Sequence, residues 1–319
     1  MKWHKVELHT HTIASDGDML PNDLVDNALD RKYEAIALTD HNTTSSVAEA
    51  VAYGKKKKLI VIPGIELTTF WGHIVVTGGN SHIDWRDITL DNIDEILKGA
   101  RDKKDLVTVA HPKRIGTPFC SECRFLFKLK DWSNVTSYEV WSHYMPQASF
   151  ESKQTKEEWV GLLDKGYKIA PVYGFDWHTR DEGCPAIAYT YVGIVGDLTE
   201  EKILKAIEKS HTYISMGIEI DCKAVRYGND YNLGDSLPSG EGEIVISANV
   251  VDEYAKYYSC EIKGMRFYKN NKLYLARKWS GEKISIPVEF DQGYFRVELY
   301  GTVDGIDGDV AILSPFYIK

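Results

Sequence analysis

Long hydrophobic runs are missing from this 319-residue chain. No stretch approaches the roughly 18 apolar residues of a membrane-spanning helix, so no membrane partner is expected. The opening MKWHKVELHT lacks the apolar core of a secretion signal, which makes the cytoplasm the expected location. Cysteine is also scarce. Five residues, an odd number, fit a reducing compartment better than a disulfide framework. Cys120 and Cys123 form a lone C-x-x-C, and without a second pair a zinc site is not expected there. Positive charge is in deficit, with 38 Lys and Arg against 47 Asp and Glu, a net charge of -9. A binder of duplex nucleic acid needs the opposite balance. A small anionic substrate remains compatible, because bound metal ions reverse the sign locally. Internal repeats and low-complexity linkers are absent as well.

What is present is an ordinary globular composition, 43% hydrophobic and 27% charged. Its length suits one large domain, or one of about 200 residues with a smaller companion. Strand and helix signals alternate from the start. WHKVELHT, EAIALTDH, LIVIPGIELT, GHIVVTGG, LVTVAHP, SYEVWSH, KIAPVYGFDWH and AYTYVGIV read as strands. LPNDLVDNALDRKY, SSVAEAVAYGKKKK, DNIDEILKGARDK, TKEEWVGLLDKGY and TEEKILKAIEKS read as helices. Thr155 and Glu158 supply a capping-box pattern that would open the fourth of these. Strands alternating with helices predict parallel βα units, and six or seven units predict a TIM-like barrel over residues 1–215. From 216 to 319 the pattern turns to period two without helices (EIVISANVV, EIKGMRFYKN, KLYLARKW, ISIPVEF, YFRVELYG, DVAILSPFYI). This predicts a C-terminal antiparallel β-sandwich domain.

Polar residues gather at the ends of the predicted strands. His9 and His11 end the first, Asp40 and His41 the second, and Glu66 the third. His73 opens the fourth, His111 ends the fifth, Glu139 and His143 lie on the sixth, and Asp176 and His178 end the seventh. Side chains two apart on a strand point the same way, so His9 with His11, and Asp176 with His178, can face one ion. Strand C-termini of a β/α barrel converge on one face, where active sites are built. So many ligand-type residues at independent strand ends predict a polynuclear metal site.

LHTHTIASDG, LTDHN, PGIEL, AHP and GFDWH, in that order, resemble the motifs of the polymerase and histidinol phosphatase (PHP) domain family. GHIVVTG after PGIELTT, and TYISMG, resemble its carbaryl-hydrolase-like branch. The resemblance implies a distorted (β/α)7 barrel holding two or three divalent ions, Zn, Mn or Fe. It implies that His9, His11, Glu66 and Asp176 hold one ion. Glu66 would bridge to a second, with His111 and His73, and Asp16, His41 and His178 would hold the third. The remaining ligand of the second ion would be Glu139 or His143.

The activity so implied is hydrolysis by a water activated between ions bridged by Glu66. The first expectation is a phosphoesterase acting on a small phosphorylated metabolite or nucleotide. The alternative is a carbamate, ester or amide hydrolase using the same ions. His41, His178 or Asp40 are candidates for moving the leaving-group proton, with orientation of a neighbouring histidine as Asp40's other role. Lys113, Arg114 and Arg180 are candidates for gripping an anion. Trp141 and Trp177 are candidate pocket walls. The β domain, with Tyr254, Tyr257, Tyr258, Phe267 and Tyr268, is available for oligomerisation, for shaping the barrel mouth or for binding a glycan.

Overall fold

Apolar runs set the first strands, and the polar residues that follow them end up together. The structure is a computed structural model that describes residues 1–80, 83–114, 124–180, 186–251 and 257–319. The Cys120–Cys123 motif and Tyr254 lie outside the described residues. In chain order the first elements are β1 (Lys2–Glu7), α1 (Pro21–Asp30), β2 (Ala35–Leu38), α2 (Val47–Lys57), β3 (Ile60–Thr69) and β4 (Gly72–Thr77). Next come α3 (Ile93–Asp102), β5 (Leu106–Val109), β6 (Ser137–Ser142), α4 (Phe150–Asp164), β7 (Ala170–Gly174), β8 (Tyr189–Ile194), α5 (Glu200–Glu208) and β9 (Thr212–Ser215). No described helix is long and apolar enough to cross a membrane.

Strands β1, β2 and β3 pair in parallel, as do β5, β6 and β7. The four residues of β2 and of β5 are all buried, as strands covered on both faces should be. Two expected parallel units are instead antiparallel. Strand β4 returns from β3 as a hairpin and pairs antiparallel with β5 as well. Strand β8 runs antiparallel to β1 and to β9. Only two residues, Phe70 and Trp71, separate β3 from β4, and a parallel connection needs a crossover of a dozen or more.

Beyond its ladder with β6, β7 meets the other edge through side chains. The Thr190 hydroxyl takes the Tyr173 N–H at 2.8 Å, and Thr212 donates to the Pro171 carbonyl at 3.0 Å. Just past β7, Trp177 makes a parallel bridge to Thr10, just past β1. Trp177 donates to the His9 carbonyl and accepts from the His11 N–H, at 3.1 and 2.9 Å. The hydrogen-bond path therefore returns to β1 where β1 and β7 end.

Helix ends follow local chemistry. Pro21 occupies the first turn of α1, and Lys55, Lys56 and Lys57 occupy the last turn of α2. The expected capping box does not open α4. Ser149 is its N-cap, accepting from the Ser152 N–H, while Thr155 bonds back to the Glu151 carbonyl at 2.8 Å. The S/T-x-x-E spacing also arises inside helices, where the hydroxyl turns to the preceding turn.

After Ser215 every described regular element is a strand: β10 (Ile218–Arg226), β11 (Asn229–Asn232), β12 (Ser236–Leu237), β13 (Gly240–Val250), β14 (Cys260–Lys269), β15 (Lys272–Lys278), β16 (Ile284–Phe290), β17 (Gly293–Val303), β18 (Ile306–Leu313) and β19 (Phe316–Ile318). Strands β11, β10, β13 and β16 form an antiparallel sheet. The others continue the large sheet, because β18 pairs with β9. Ile218, Ile220, Cys222 and Ala224 are buried in β10 while Glu219 and Asp221 are exposed, the alternation of a strand with one covered face. Sequence reading passes over β10 because its inward positions include a cysteine, an alanine and an arginine.

Candidate metal centre

The ligand-type residues converge around two buried carboxylates, Glu66 and Asp176. His9 Nε2 lies 3.2 Å from Glu66 Oε2 and 3.3 Å from Asp176 Oδ1. His11 Nε2 lies 3.0 Å from Asp176 Oδ1. The other Glu66 oxygen, Oε1, lies 2.9 Å from His73 Nδ1 and 3.1 Å from His111 Nε2. His41 stands between Glu66, at 2.7 Å, and Asp16, at 3.4 Å, and also touches the Thr68 hydroxyl. His178 Nε2 lies 3.1 Å from Asp16. Three ligand-type groups result: His9, His11, Glu66 and Asp176; His11, Asp16, His41 and His178; and His41, Glu66 and His73.

Topology explains the convergence. The residues just past β1, β2 and β7 leave parallel strands at one end. Strand β4 runs the other way, so its first ligand, His73, stands at that same end, opposite Thr68 of β3. The turn residues pay in backbone strain. His111, His143 and Asp176 have φ of 25°, 57° and 55°, a region non-glycine residues seldom adopt and one that collects at functional sites.

The site fits metal ions on its own geometry. His9 Nε2, both ring nitrogens of His11, Glu66 Oε2, Asp176 Oδ1 and His143 Nε2 are buried without a hydrogen-bond partner. Buried polar atoms are otherwise almost always paired, and imidazole with carboxylate is the donor set of Zn, Mn and Fe sites. Protons stand in for ions in the metal-free protein. Burial opposes charge on His9, but Glu66, Glu139 and Asp176 overcome it and hold the imidazole well above its ordinary pKa. Burial likewise opposes charge on His41, which Asp16 and Glu66 nevertheless push up to about 10. Burial draws His11 down to about 4. Burial would raise Glu66 and Asp176, yet the surrounding histidines hold both well below the carboxylate range.

Other candidates are placed differently. Asp40 is engaged by backbone and hydroxyl donors. It accepts from the Thr12 N–H and the Thr12 hydroxyl, each at 2.7 Å, and from the hydroxyls of Ser15 and Ser46. With four donors on two oxygens it ties down the loop that carries Asp16, and among the described residues its side-chain hydrogen bonds go to Thr12, Ser15 and Ser46. Glu139, a candidate ligand, lies behind His9: Oε1 takes the Nδ1 side of that ring and Oε2 takes the His111 N–H. His143 Nε2 faces Asp176 Oδ2 at 3.3 Å. Arg114 is bonded to Asp176 at the edge of the site. Lys113 pairs with Glu158 at 2.8 Å, a contact partly open to solvent. Arg180 is exposed, and its backbone N–H is held by Asp18. Trp141 and Trp177 are both buried; Trp141 lines a cavity with Phe150, Lys156 and Tyr300 whose lining holds none of the candidate metal ligands, and the Trp177 indole N–H donates to the Thr179 carbonyl.

Glu7 escaped the sequence reading. Its Oε1 accepts the N–H groups of Leu8, His9 and Phe175, each at 3.0 Å, stitching β1 to the residues after β7 beneath the cluster. Burial pushes its carboxyl up to about 8. The signal was available: Lys5, Glu7, His9 and His11 share one parity, so Glu7 faces inward with the two histidines.

Fold and site define a β/α protein with clustered histidines and carboxylates that could hold metal ions. The PHP domain matches residues 7–117. An uncharacterized protein of Methanocaldococcus jannaschii is 31% identical over 204 residues, 64% of this chain and 88% of that protein. The chain belongs to the PHP domain family. It is also similar to a 3',5'-nucleoside bisphosphate phosphatase of Chromobacterium violaceum, 36% identical over 77 residues. That match covers 23% of this chain and only 27% of the phosphatase. A two-domain protein of Bacteroides vulgatus containing a "predicted PHP-like metal-dependent phosphoesterase" shares the fold over 99% of this chain and 95% of its own. Its TM-score is 0.54 and its sequence identity 16%.

Proposed function

We propose that this chain is a metal-dependent phosphoesterase that cleaves a small phosphorylated metabolite or nucleotide. The observation that carries the reading is the convergence of buried, unpartnered ligand atoms around Glu66 and Asp176, with Arg114 beside them. His9, His11, Glu66 and Asp176 would hold one ion, Glu66, His73 and His111 a second, and Asp16, His41 and His178 a third. When bound, Zn, Mn or Fe would supply Lewis acidity and a water acidified toward neutral pH. Arg114 would take up an anionic substrate through its planar fork. With only the first two ions bound, His178 and His41, partly open to solvent, would carry the leaving-group proton. The bisphosphate phosphatase is in keeping with such a substrate. In the same reading residues 1–215 are a distorted (β/α)7 barrel and 216–319 a β-sandwich.

A second reading is hydrolysis of a carbamate, ester or amide, as the resemblance to carbaryl hydrolases implies. The pairing of Arg114 with Asp176 and of Lys113 with Glu158 favours it, since both cations that follow the AHP motif already face a carboxylate. A panel of chromogenic phosphomonoesters run against aryl esters and carbamates, with metal-loaded protein, separates the two. Near-normal turnover by a metal-depleted His9→Ala, His11→Ala double variant would sink both.

A further inference from the structure

We propose that Glu139 is a positioning residue for two metal ligands at once, and not a ligand itself. It fixes which nitrogen His9 presents and holds the strained turn that aims His111. The inference rests on the metal-centre reading above.

Three observations on separate elements carry it. First, the His9 ring has two faces of contact. Nδ1 lies 2.7 Å from Glu139 Oε1, and Nε2 points at Glu66 and Asp176. A carboxylate on Nδ1 keeps a proton there and leaves the Nε2 lone pair for an ion. Second, Glu139 Oε2 accepts the His111 N–H at 2.7 Å. His111 has a φ of 25°, so this bond stabilises an unfavourable backbone whose result is His111 Nε2 at Glu66. Third, the chain makes room for this carboxylate. A Cβ added at Gly174 would stand 2.1 Å from Glu139 Oε1 and 2.2 Å from its carboxyl carbon. Gly174 does not have a positive φ, so space and not backbone freedom explains the glycine. The β6–β7 register also shifts between Glu139 and Trp141, which breaks the inward alternation just after Glu139.

Chemistry makes the carboxylate hard to replace. Both of its partners are donors. An amide offers one oxygen and one NH2 group. With its oxygen on His9, its NH2 opposes the His111 N–H. Flipped, it donates to Nδ1 and drives the proton to Nε2, where it blocks an ion.

The test uses the full-length chain, stripped of metal and titrated with Zn2+ alone. Two variants displace the carboxylate differently: Glu139→Gln alters its chemistry, and Gly174→Ala keeps it but pushes it aside. Both are expected to lose about ten- to a hundredfold in Zn2+ affinity, the usual cost of removing a ligand's outer partner. In the Zn2+-loaded wild type, the His9 ring N–H gives a slowly exchanging downfield proton signal, which both variants lose. Should Glu139→Gln fail to fold, Gly174→Ala carries the test. Wild-type affinity and a retained ring proton in the variants overturn the proposal. So does X-ray absorption showing that Glu139→Gln removes an oxygen from the zinc coordination. If the wild-type chain takes up no Zn2+, the metal reading itself falls.

Discussion

At the scale of single residues, Glu66 is the hinge of the cluster. It is fully buried, and each of its oxygens meets histidines from different elements. Glu66→Gln removes a charge on which His9, His41, His73 and His111 all converge. The expected outcome is loss of bound metal, counted by elemental analysis. Hydrolysis falls by more than about a hundredfold, beyond the effect of an outer partner. His41 makes a pH prediction. Its proton is bound below a pKa of about 10, so the metal-free chain carries it at neutral pH, and a bound ion cannot share that nitrogen. Metal binding must therefore expel protons, and affinity rises with pH by about tenfold per unit for each proton displaced. Titration calorimetry in buffers of different ionisation enthalpy counts them. Affinity that is flat, or falls, between about pH 6 and 8 contradicts this assignment.

At the scale of elements, the loop from Thr12 to Asp18 decides whether Asp16 reaches His41 and His178. Asp40 holds this loop through Thr12 and Ser15, and Gly17 packs against it so closely that a Cβ would stand 2.8 Å from the His11 carbonyl. Asp40→Asn turns one acceptor into a donor among donors, which costs about 1–3 kcal/mol. Asp40→Asn is expected to weaken the ion held by Asp16, His41 and His178 while sparing the one held by His9 and His11. A stoichiometry one ion below wild type is the readout, and an equal loss at all sites would contradict the division. The same loop shows what the sequence makes legible. His9 and His11 could be read because period two puts them on one face; Asp176 and His178, expected to share an ion, fall in different groups because Asp176 has a φ of 55° and ends the strand alternation. Asp40 could not, because its role depends on hydroxyls from Thr12, Ser15 and Ser46 that only the folded chain brings together. Glu139 and His143 were left as alternatives for the same reason: the register shift after Glu139 changes which side chains face inward, and no local pattern announces it. The directions of β4 and β8 were missed because alternation reports that strands exist, not which way they run.

At the scale of the whole molecule, the two halves read from the sequence share structure. Strand β9 pairs with β18 through Tyr213, Ile214 and Ser215, so the large sheet continues past residue 215. Lys156 of α4 reaches both Glu298 and Asp309, at 3.2 and 2.5 Å, and the Tyr294 hydroxyl reaches Asp164 at 2.8 Å. Tyr258 donates to the Ile187 carbonyl at 3.1 Å, two residues before β8. Glu298 is fully buried, so cutting the chain after residue 215 would leave Lys156 without either carboxylate and β9 paired with β8 alone, its ladder to β18 lost. Independent domains are normally joined where few contacts cross, and these contacts cross in several places. The expected behaviour is therefore a single cooperative unfolding transition for the full chain, with calorimetric and van't Hoff enthalpies in agreement. A fragment of residues 1–215 should lack that transition and expose an unpaired strand edge prone to association. Two separated transitions in the full chain, or a monomeric fragment that melts cooperatively and binds metal, would show that the β/α half folds alone.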